Sequence, residues 1–117
     1  MQDNYRNISI VGAGAWGTAL AELISRQGHQ INLWAKESSV VHSINASHEN
    51  NIFLPNVRLS DLIVAFNNIE QITNCDLLLV VSPAQYTRET LLEVSKTLKS
   101  DTPIILCSKG IEISTLS

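Results

Sequence analysis

The sequence predicts an α/β fold built on a doubly wound parallel sheet, and two observations lead to this prediction. Five short apolar runs alternate along the chain with segments of helical or irregular pattern. The runs are mostly apolar and do not alternate regularly with polar residues, which is typical of strands buried on both faces. Such strands form a parallel sheet between two layers of helices. Right-handed crossovers then predict the strand order 3-2-1-4-5.

The composition agrees with one folded domain and excludes several classes of protein. The chain has 117 residues, of which 44% are hydrophobic and 16% are charged, so it can bury a core without metals or disulfides. Eight basic and eleven acidic side chains give a net charge of -3, which argues against nucleic acid as the main partner. No apolar run is long enough to span a membrane, and the polar first residues do not resemble a signal peptide.

The first apolar run and the helix after it begin the predicted sheet. Residues 8–11 are rich in β-branched side chains and are followed by a glycine, which is typical of a buried strand. Residues 15–27 have the apolar spacing of a helix, and Gly28 would form its C-terminal cap. Four apolar side chains are expected on one face of this helix: Ala19, Leu20, Leu23 and Ile24.

The middle of the chain predicts two further strands and their connections. Residues 31–34 form the second strand, and residues 62–66 form the third. Between them, the apolar spacing of residues 37–46 predicts a short helix. Residues 48–58 are polar and irregular, which predicts a loop, and residues 68–74 are expected to hold a second short helix.

The last part of the chain predicts two strands with a helix between them. Residues 77–81 are five consecutive aliphatic side chains, the strongest strand signal in the sequence. Residues 86–99 predict a helix, and residues 104–107 predict the last strand. The helix carries its core-facing candidates along its length: Leu91, Leu92, Val94, Ser95 and Leu98.

Two cysteines indicate the redox compartment. Cys75 and Cys107 have no spacing that suggests a metal site, so two buried thiols in a reducing cytoplasm are expected. Cys75 would precede the fourth strand and Cys107 would end the fifth. The start of one strand and the end of its parallel neighbour lie at opposite ends of the strands, so no disulfide between the two cysteines is expected.

The segment 12–17 carries the motif with the clearest chemistry. It reads G-x-G-x-x-G, follows a predicted strand and begins a helix, as a dinucleotide-binding loop does. Gly12 would allow the tight turn, Gly14 would let a pyrophosphate approach the backbone, and Gly17 would let the helix pack closely on the strand. The helix N-terminus would then offer unpaired N–H groups to the phosphates. These features together predict a Rossmann-like domain.

The end of the second strand bears on the choice of cofactor. NAD-specific domains usually have an acidic residue there, which binds the ribose 2′-hydroxyl. The expected acidic position holds Ala35 instead, and Lys36 follows it. A cation at this place can pair with a 2′-phosphate, so the sequence favours NADP over NAD. Glu37 keeps NAD open as the alternative, because it could be the acidic residue one position late.

Two more candidate residues follow later strands, at the edge of the sheet where ligands bind. Pro83 could form part of the wall around the nicotinamide. Lys109 is the only charged residue directly after the fifth strand, and we expect it to orient an anionic substrate or polarise its carbonyl group. The three histidines have no spacing that suggests a catalytic triad, and no metal site is expected.

Four segments of the chain, in order, resemble bacterial NAD(P)-dependent glycerol-3-phosphate dehydrogenase. Residues 12–21 are similar to the family's opening motif. Residues 33–36 are similar to its Leu-Trp pair followed by a small residue and then a basic or His residue. Residues 50–55 match its Asn-x-x-aromatic-Leu-Pro motif, and residues 108–112 resemble its Lys-Gly-Leu-Glu motif. Four ordered matches across almost the whole chain are much more specific than the glycine motif alone.

The resemblance implies an activity and a set of binding residues. The activity is reversible hydride transfer between NAD(P)H and dihydroxyacetone phosphate, which gives sn-glycerol 3-phosphate. This product would link the enzyme to carbohydrate metabolism and to glycerophospholipid synthesis. The family's cofactor contacts fall on Ala15, Trp16, Lys36 and Lys109, and Phe53 is expected to approach the cofactor as the aromatic residue of its motif. The resemblance also implies that Lys109 contacts the substrate.

Two departures from the family limit what this chain is expected to do. Ala15 stands where many relatives have serine, so a hydroxyl contact to the phosphates would be lost. The resemblance also implies that the general acid/base and the substrate-phosphate ligands belong to a helical C-terminal domain beyond Ser117. Residues 1–117 are therefore expected to be an incomplete NAD(P)-binding domain that binds nucleotide weakly and does not turn over. The full-length protein could form a homodimer.

Two alternatives remain open at the level of the sequence. One is another NAD(P)-dependent dehydrogenase that acts on a small phosphorylated or carboxylated substrate. The motifs at residues 50–55 and 108–112 argue against it. The other is a stand-alone module that senses nucleotides and performs no chemistry. A reading frame that continues well beyond one domain would exclude the sensor.

Overall fold

The computed structural model describes residues 6–81 and 84–107, and for residues 84–87 it describes the backbone only. The five strands are β1 (Asn7–Val11), β2 (Gln30–Trp34), β3 (Ile63–Phe66), β4 (Leu77–Val80) and β5 (Ile104–Leu106). The helices are α1 (Ala15–Ser25), α2 (Ser38–Ser47) and α3 (Ala84–Ser95), and a 3₁₀ helix spans Ile69–Ile72. Every element predicted from the sequence is present, with ends that differ by a few residues.

The strands form one parallel sheet with the order β3-β2-β1-β4-β5, which confirms the predicted topology. β1 lies at the centre, where Ile10 is in register with Leu33 of β2 on one side and with Leu79 of β4 on the other. The chain order reverses between β1 and β4, so the carboxyl ends of these two strands flank the position where doubly wound sheets bind their ligands.

Both faces of the central strands are buried, as the continuous apolar runs predict. On one face, the side chain of Ile10 belongs to a core that includes Ala21 of α1 and Ile44 of α2. On the other face, the side chain of Val11 belongs to a second core with Ile72 of the 3₁₀ helix and Val94 of α3. The sheet is therefore covered by helical structure on both sides.

The face that α1 buries differs from the predicted one. Its buried side chains are small, whereas Leu23, which was expected on the buried face, is 62% exposed. Leu20 and Ile24 lie at the margin of the core, where they are partly buried. Gly17 shows the reason, because a Cβ atom there would lie 1.8 Å from the Gly12 carbonyl oxygen, and such a close approach leaves room for small side chains only. The buried positions of α1 are Gly17, Thr18, Ala21 and Ser25.

The last two elements also differ from expectation. Helix α3 begins two residues earlier than predicted and ends at Ser95 instead of continuing to residue 99. It buries Val94, while Leu92 is 62% exposed and Ser95 is exposed. Strand β5 was expected to be buried on both faces, but its three side chains are 42–57% exposed. Within the described ranges, β5 pairs with β4 alone, so it has a strand neighbour on one side only.

Two polar side chains lie inside the central strands and were not singled out from the sequence. Ser9 of β1 and Asn32 of β2 are in register, and both are buried. The Asn32 Nδ2 group donates to Ser9 Oγ at 3.2 Å and to Asn7 Oδ1 at 2.7 Å, and Ser9 Oγ donates to the carbonyl oxygen of Ile72. These contacts compensate the cost of burying polar groups in the sheet.

The described helices are short. None of those in residues 6–81 and 84–107 combines the length and apolar character that crossing a membrane requires.

Candidate functional site

The candidate site begins where β1 ends and α1 starts. Strand β1 ends at Val11, and α1 begins four residues later at Ala15. Gly12 has a φ of 119°, a backbone conformation that residues other than glycine rarely adopt. Its N–H donates to the carbonyl oxygen of Trp34 at 3.1 Å, so the turn is tied to the carboxyl end of β2.

Gly14 and Gly17 have different environments, and each agrees with its predicted task. A Cβ atom on Gly17 would lie 1.8 Å from the carbonyl oxygen of Gly12, so no side chain fits between α1 and the loop. A Cβ atom on Gly14 would have no protein atom within 4 Å. Gly17 therefore permits close packing inside the protein, and Gly14 leaves open space through which a ligand can reach the backbone.

The N-terminus of α1 has the electrostatics of an anion site. Gly14 is the N-cap, and the N–H of Thr18 donates to its carbonyl oxygen at 3.0 Å to form the first helical turn. No side chain caps this end, and the first turn contains no acidic residue. The N–H groups of the first turn have no acceptor within the helix, so together with the helix dipole they favour a bound anion.

A buried asparagine connects the glycine loop to the loop that follows α2. Asn50 has no exposed surface, and its Nδ2 group donates to the carbonyl oxygen of Ala13 at 2.8 Å and to Thr18 Oγ1 at 2.9 Å. Its Oδ1 atom accepts the N–H of Phe53 at 3.1 Å. The N–H of Leu54 donates to the Asn50 carbonyl oxygen at 2.8 Å, which closes the turn.

The role of Asn50 was not predicted from the sequence, although it is the first residue of the matched motif at residues 50–55. A polar residue in a polar loop gives no local sign of complete burial. The available signal was its fixed place in a motif that also contains Phe53. The structure places this motif against the glycine loop, so two segments separated by 37 positions, at Ala13 and Asn50, form one unit.

Lys36 lies where the sequence predicts it, just beyond the carboxyl end of β2. Ala35 is buried, and its N–H donates to the carbonyl oxygen of Phe66 at 2.8 Å, which anchors this segment to β3. Lys36 and Glu37 are both exposed, and Glu37 is the N-cap of α2. In the part of the chain that the structure describes, the Lys36 ammonium group forms no salt bridge.

The two aromatic candidates are both partly open to solvent. Trp16, in the first turn of α1, is 37% exposed, and Phe53 is 40% exposed. Ala15, beside Trp16, is also exposed. Large apolar side chains with this exposure are available to contact a ligand or another part of a protein. The remaining candidates, Pro83 and Lys109, lie outside the described residues.

Among the described residues, no histidine forms a hydrogen bond with the glycine loop. His29 accepts the N–H of Arg6 at its Nδ1 atom at 3.1 Å, next to the amino end of β1 and away from the glycine loop. The Nε2 atom of His48 lies 3.6 Å from Asp61 Oδ1. Across residues 6–81 and 88–107, no three His, Cys, Asp or Glu side chains form a group that could hold a metal ion.

Comparison with known proteins identifies the family. The family model described as NAD-dependent glycerol-3-phosphate dehydrogenase N-terminus matches residues 7–117. The chain belongs to this family. The resemblance inferred from the four sequence segments is thereby confirmed. The glycine loop, Lys36 and the motif at residues 50–55 all lie inside the matched region of the dehydrogenase family.

Individual proteins that are similar in sequence to this chain are also glycerol-3-phosphate dehydrogenases. A glycerol-3-phosphate dehydrogenase [NAD(P)+] of Maricaulis maris is 45% identical over 113 residues, which are 97% of this chain and 34% of that protein. One from Sphingopyxis alaskensis is 47% identical over 109 residues, which are 93% of this chain and 32% of that protein. The chain therefore spans about a third of the length of these dehydrogenases.

A solved structure supports the same fold. The crystal structure of glycerol-3-phosphate dehydrogenase from Coxiella burnetii superimposes with a TM-score of 0.83 at 30% sequence identity. The match covers 90% of this chain and 33% of that enzyme. The Rossmann-like sheet predicted from the sequence is thus the fold of an established dehydrogenase over the same region.

Proposed function

We propose that this chain is the nucleotide-binding part of an NAD(P)-dependent glycerol-3-phosphate dehydrogenase. The whole enzyme would transfer a hydride reversibly between NAD(P)H and dihydroxyacetone phosphate, giving sn-glycerol 3-phosphate for phospholipid synthesis. Residues 1–117 would form one incomplete NAD(P)-binding domain. The observation that carries the proposal is the glycine loop, whose open Gly14 and uncapped helix end occur in a chain of this family.

The residues present fit a dinucleotide. Its pyrophosphate would lie in front of Gly14, where a Cβ atom would meet no protein atom within 4 Å. The N–H groups of Ala15 and Trp16 would bind the phosphate oxygens, and this binding needs no side-chain hydroxyl at Ala15. Gly12 and Gly17 would keep the turn tight and the helix close behind it.

The nicotinamide of the bound cofactor would supply the hydride chemistry, and this chain would bind and orient it. Phe53 would contribute an exposed apolar surface beside the glycine loop. Pro83 would form part of the wall around the nicotinamide. Lys109 would pair with the anionic substrate and polarise its carbonyl group, which favours the negative charge that develops on the oxygen during reduction.

Lys36 would favour NADPH over NADH through charge pairing with the 2′-phosphate. Its ammonium group is exposed and forms no salt bridge within the described residues, so it can bind a ligand without breaking an internal contact. Glu37 would weaken this preference, because a carboxylate next to the site repels a phosphate. Either nucleotide would therefore bind, and NADP would be preferred.

Substitution of Lys36 tests the cofactor site directly. We expect Lys36→Ala to raise the Kd for NADPH by about tenfold and the Kd for NADH by less than about twofold, since only NADPH loses a charged contact. Titration of the chain with each nucleotide, followed by amide shifts in NMR spectra, measures both constants. Added salt should reduce NADPH binding more than NADH binding.

Lys96 provides the matched control. It is an exposed lysine after α3 that already pairs with Glu93 at 3.4 Å. Lys96→Ala should leave both dissociation constants unchanged. Equal losses for NADPH and NADH in Lys36→Ala would contradict the assigned role of Lys36. Failure of the unmodified chain to bind either nucleotide at millimolar concentration would contradict the nucleotide site itself.

The activity is tested in the longest natural protein that contains this chain. That protein should oxidise NADPH when dihydroxyacetone phosphate is added, and Lys109→Ala should lower its turnover number as well as its affinity for cofactor. Oxidation with another ketone but not with dihydroxyacetone phosphate would overturn the substrate. An unchanged turnover number in Lys109→Ala would remove Lys109 from the chemistry.

We also propose a cytoplasmic, homodimeric enzyme that does not act on nucleic acid. The net charge of -3 supports the last point, since a phosphate backbone requires a basic surface. Cys75, a buried thiol, is compatible with a reducing compartment. Sedimentation of the full-length protein would test the dimer.

A further inference from the structure

We propose that Asn50 is a positioning residue that orients the peptide between Ala13 and Gly14 for the phosphates of the nucleotide. The proposal rests on the proposed function, because it assigns a task within the same site. Asn50 itself would not contact the cofactor. It would act through the glycine loop, by holding one carbonyl group in a fixed direction.

The first argument is the completeness of the contacts that Asn50 makes. Both hydrogens of its Nδ2 group are used, toward the Ala13 carbonyl oxygen at 2.8 Å and Thr18 Oγ1 at 2.9 Å. The residue has no exposed surface, so water cannot replace these donors. Hydrogen bonds in such an environment are strong, and a carbonyl group that loses its donor there carries a substantial penalty.

The second argument is the geometry of the peptide unit. In a trans peptide the C=O and the next N–H point in opposite directions. Because Asn50 holds the Ala13 carbonyl group toward the interior, the N–H of Gly14 points away from Asn50, to the outer side of the loop. Among the described residues, no group accepts a hydrogen bond from the Gly14 N–H. That N–H is therefore available to a phosphate oxygen.

The third argument is that the same side chain also shapes the neighbouring turn. The Asn50 Oδ1 atom accepts the N–H of Phe53 at 3.1 Å. The amide group of Asn50 thus holds the glycine loop through its nitrogen and the turn at Phe53 through its oxygen. Thr18 Oγ1 also donates to the Ala13 carbonyl oxygen, but at the longer distance of 3.3 Å, so Asn50 supplies the better of the two contacts.

Asn50→Asp separates the two halves of this contact. The aspartate keeps an oxygen for the Phe53 N–H but has no hydrogen to donate to Ala13, and its charge repels the carbonyl oxygen. Asn45→Asp is the matched control. Asn45, an exposed residue of α2, forms a double contact with β3, its Nδ2 donating to the Ala65 carbonyl oxygen at 3.0 Å and its Oδ1 accepting the Ala65 N–H at 2.8 Å.

The experiment compares the unmodified chain with these two variants in three measurements. Thermal unfolding reports the loss of stability, and we expect Tm to fall by about 5 to 10 °C in Asn50→Asp and by less in Asn45→Asp, because Asn50 is buried and Asn45 is exposed. NMR spectra without ligand report the loop, and we expect the Gly14 amide signal to shift or broaden in Asn50→Asp only. NADPH titration reports the site, and we expect a Kd at least about tenfold higher in Asn50→Asp and nearly unchanged in Asn45→Asp.

The outcomes separate this proposal from the proposed function. Equal effects of the two variants on NADPH binding, or an unchanged Gly14 amide in Asn50→Asp, would overturn the role of Asn50. If the unmodified chain binds no NADPH while the Gly14 amide responds to Asn50→Asp, the proposed function fails and the positioning of the loop stands. If Asn50→Asp does not fold, Asn50→Ala removes the donor to the Ala13 carbonyl oxygen without burying a charge. It should shift the Gly14 amide and weaken NADPH binding by at least about threefold, and no change in either would overturn the proposal.

Discussion

At the scale of single residues, each of the three glycines in the loop is required for a different physical reason. Gly12 has a positive φ of 119°, Gly17 has no space for a side chain, and Gly14 faces open space with an ordinary φ of -73°. The motif predicts a different task for each of these positions, and their environments show the physical cause of each difference. Their environments predict that substitution at Gly14 affects binding, whereas substitution at Gly17 affects folding.

Gly14→Ala and Gly17→Ala should therefore have opposite consequences. Gly17→Ala places a Cβ atom 1.8 Å from the Gly12 carbonyl oxygen, so the free energy of unfolding should fall by about 3 kcal/mol or more. Gly14→Ala should change it by less than about 1 kcal/mol, because lower unfolded-state entropy offsets the poorer N-cap. NADPH binding should nevertheless be weakened at least about tenfold by Gly14→Ala, since the methyl group occupies the space for the pyrophosphate.

Urea denaturation and nucleotide titration of both variants check these expectations. Each variant serves as the control for the other, because both add a single methyl group within the same loop. Full NADPH affinity in a folded Gly14→Ala chain would mean that the pyrophosphate does not approach the backbone at this position.

At the scale of elements, close packing determines which side chains helix α1 buries. Its buried positions include Ala21, which has no exposed surface, while Leu23 is 62% exposed. Hydrophobicity alone would assign these two positions the other way. The helix must lie close to β1 because Gly17 brings it against the loop, and a larger side chain on this face would push it away from the phosphate site.

Ala21→Leu should therefore destabilise the chain although it adds apolar surface. We expect the free energy of unfolding to fall by about 1 to 3 kcal/mol through overpacking. Leu23→Ala is the control, and it should change that free energy by less than about 0.5 kcal/mol, because the side chain is mostly in solvent. Urea midpoints measure both, and a stabilising effect of Ala21→Leu would show that the helix has room to move.

At the scale of the whole molecule, the protection of backbone amides from hydrogen exchange should decrease from the centre of the sheet to its edge. β1 is paired on both sides and four of its five residues are buried, whereas all three residues of β5 are exposed. Local opening requires less free energy where few side chains are buried. The amides of β5 should exchange with solvent at least about tenfold faster than those of β1 in NMR hydrogen-exchange experiments. Comparable protection of both strands would contradict this gradient.

Much of this protein follows from the sequence because the signals are local. Predominantly apolar runs identified all five strands, and the glycine motif between the first run and the first helix located the candidate site. Strand order followed from the general handedness of parallel connections. These features depend on neighbours in the chain or on rules that apply to every parallel sheet, so one sequence was sufficient.

The tertiary structure alone decided which side chains share a surface. The close approach of α1 replaced the predicted leucine face with Gly17, Thr18, Ala21 and Ser25. The burial of Asn50 against Ala13, 37 positions earlier, joined the Phe53 turn to the phosphate loop. Neither could be inferred from periodicity or composition, because each depends on a distance in space between segments that are far apart in the chain. The sequence by itself determined the sheet and its glycine loop, and the packing of distant segments decided how that loop is held.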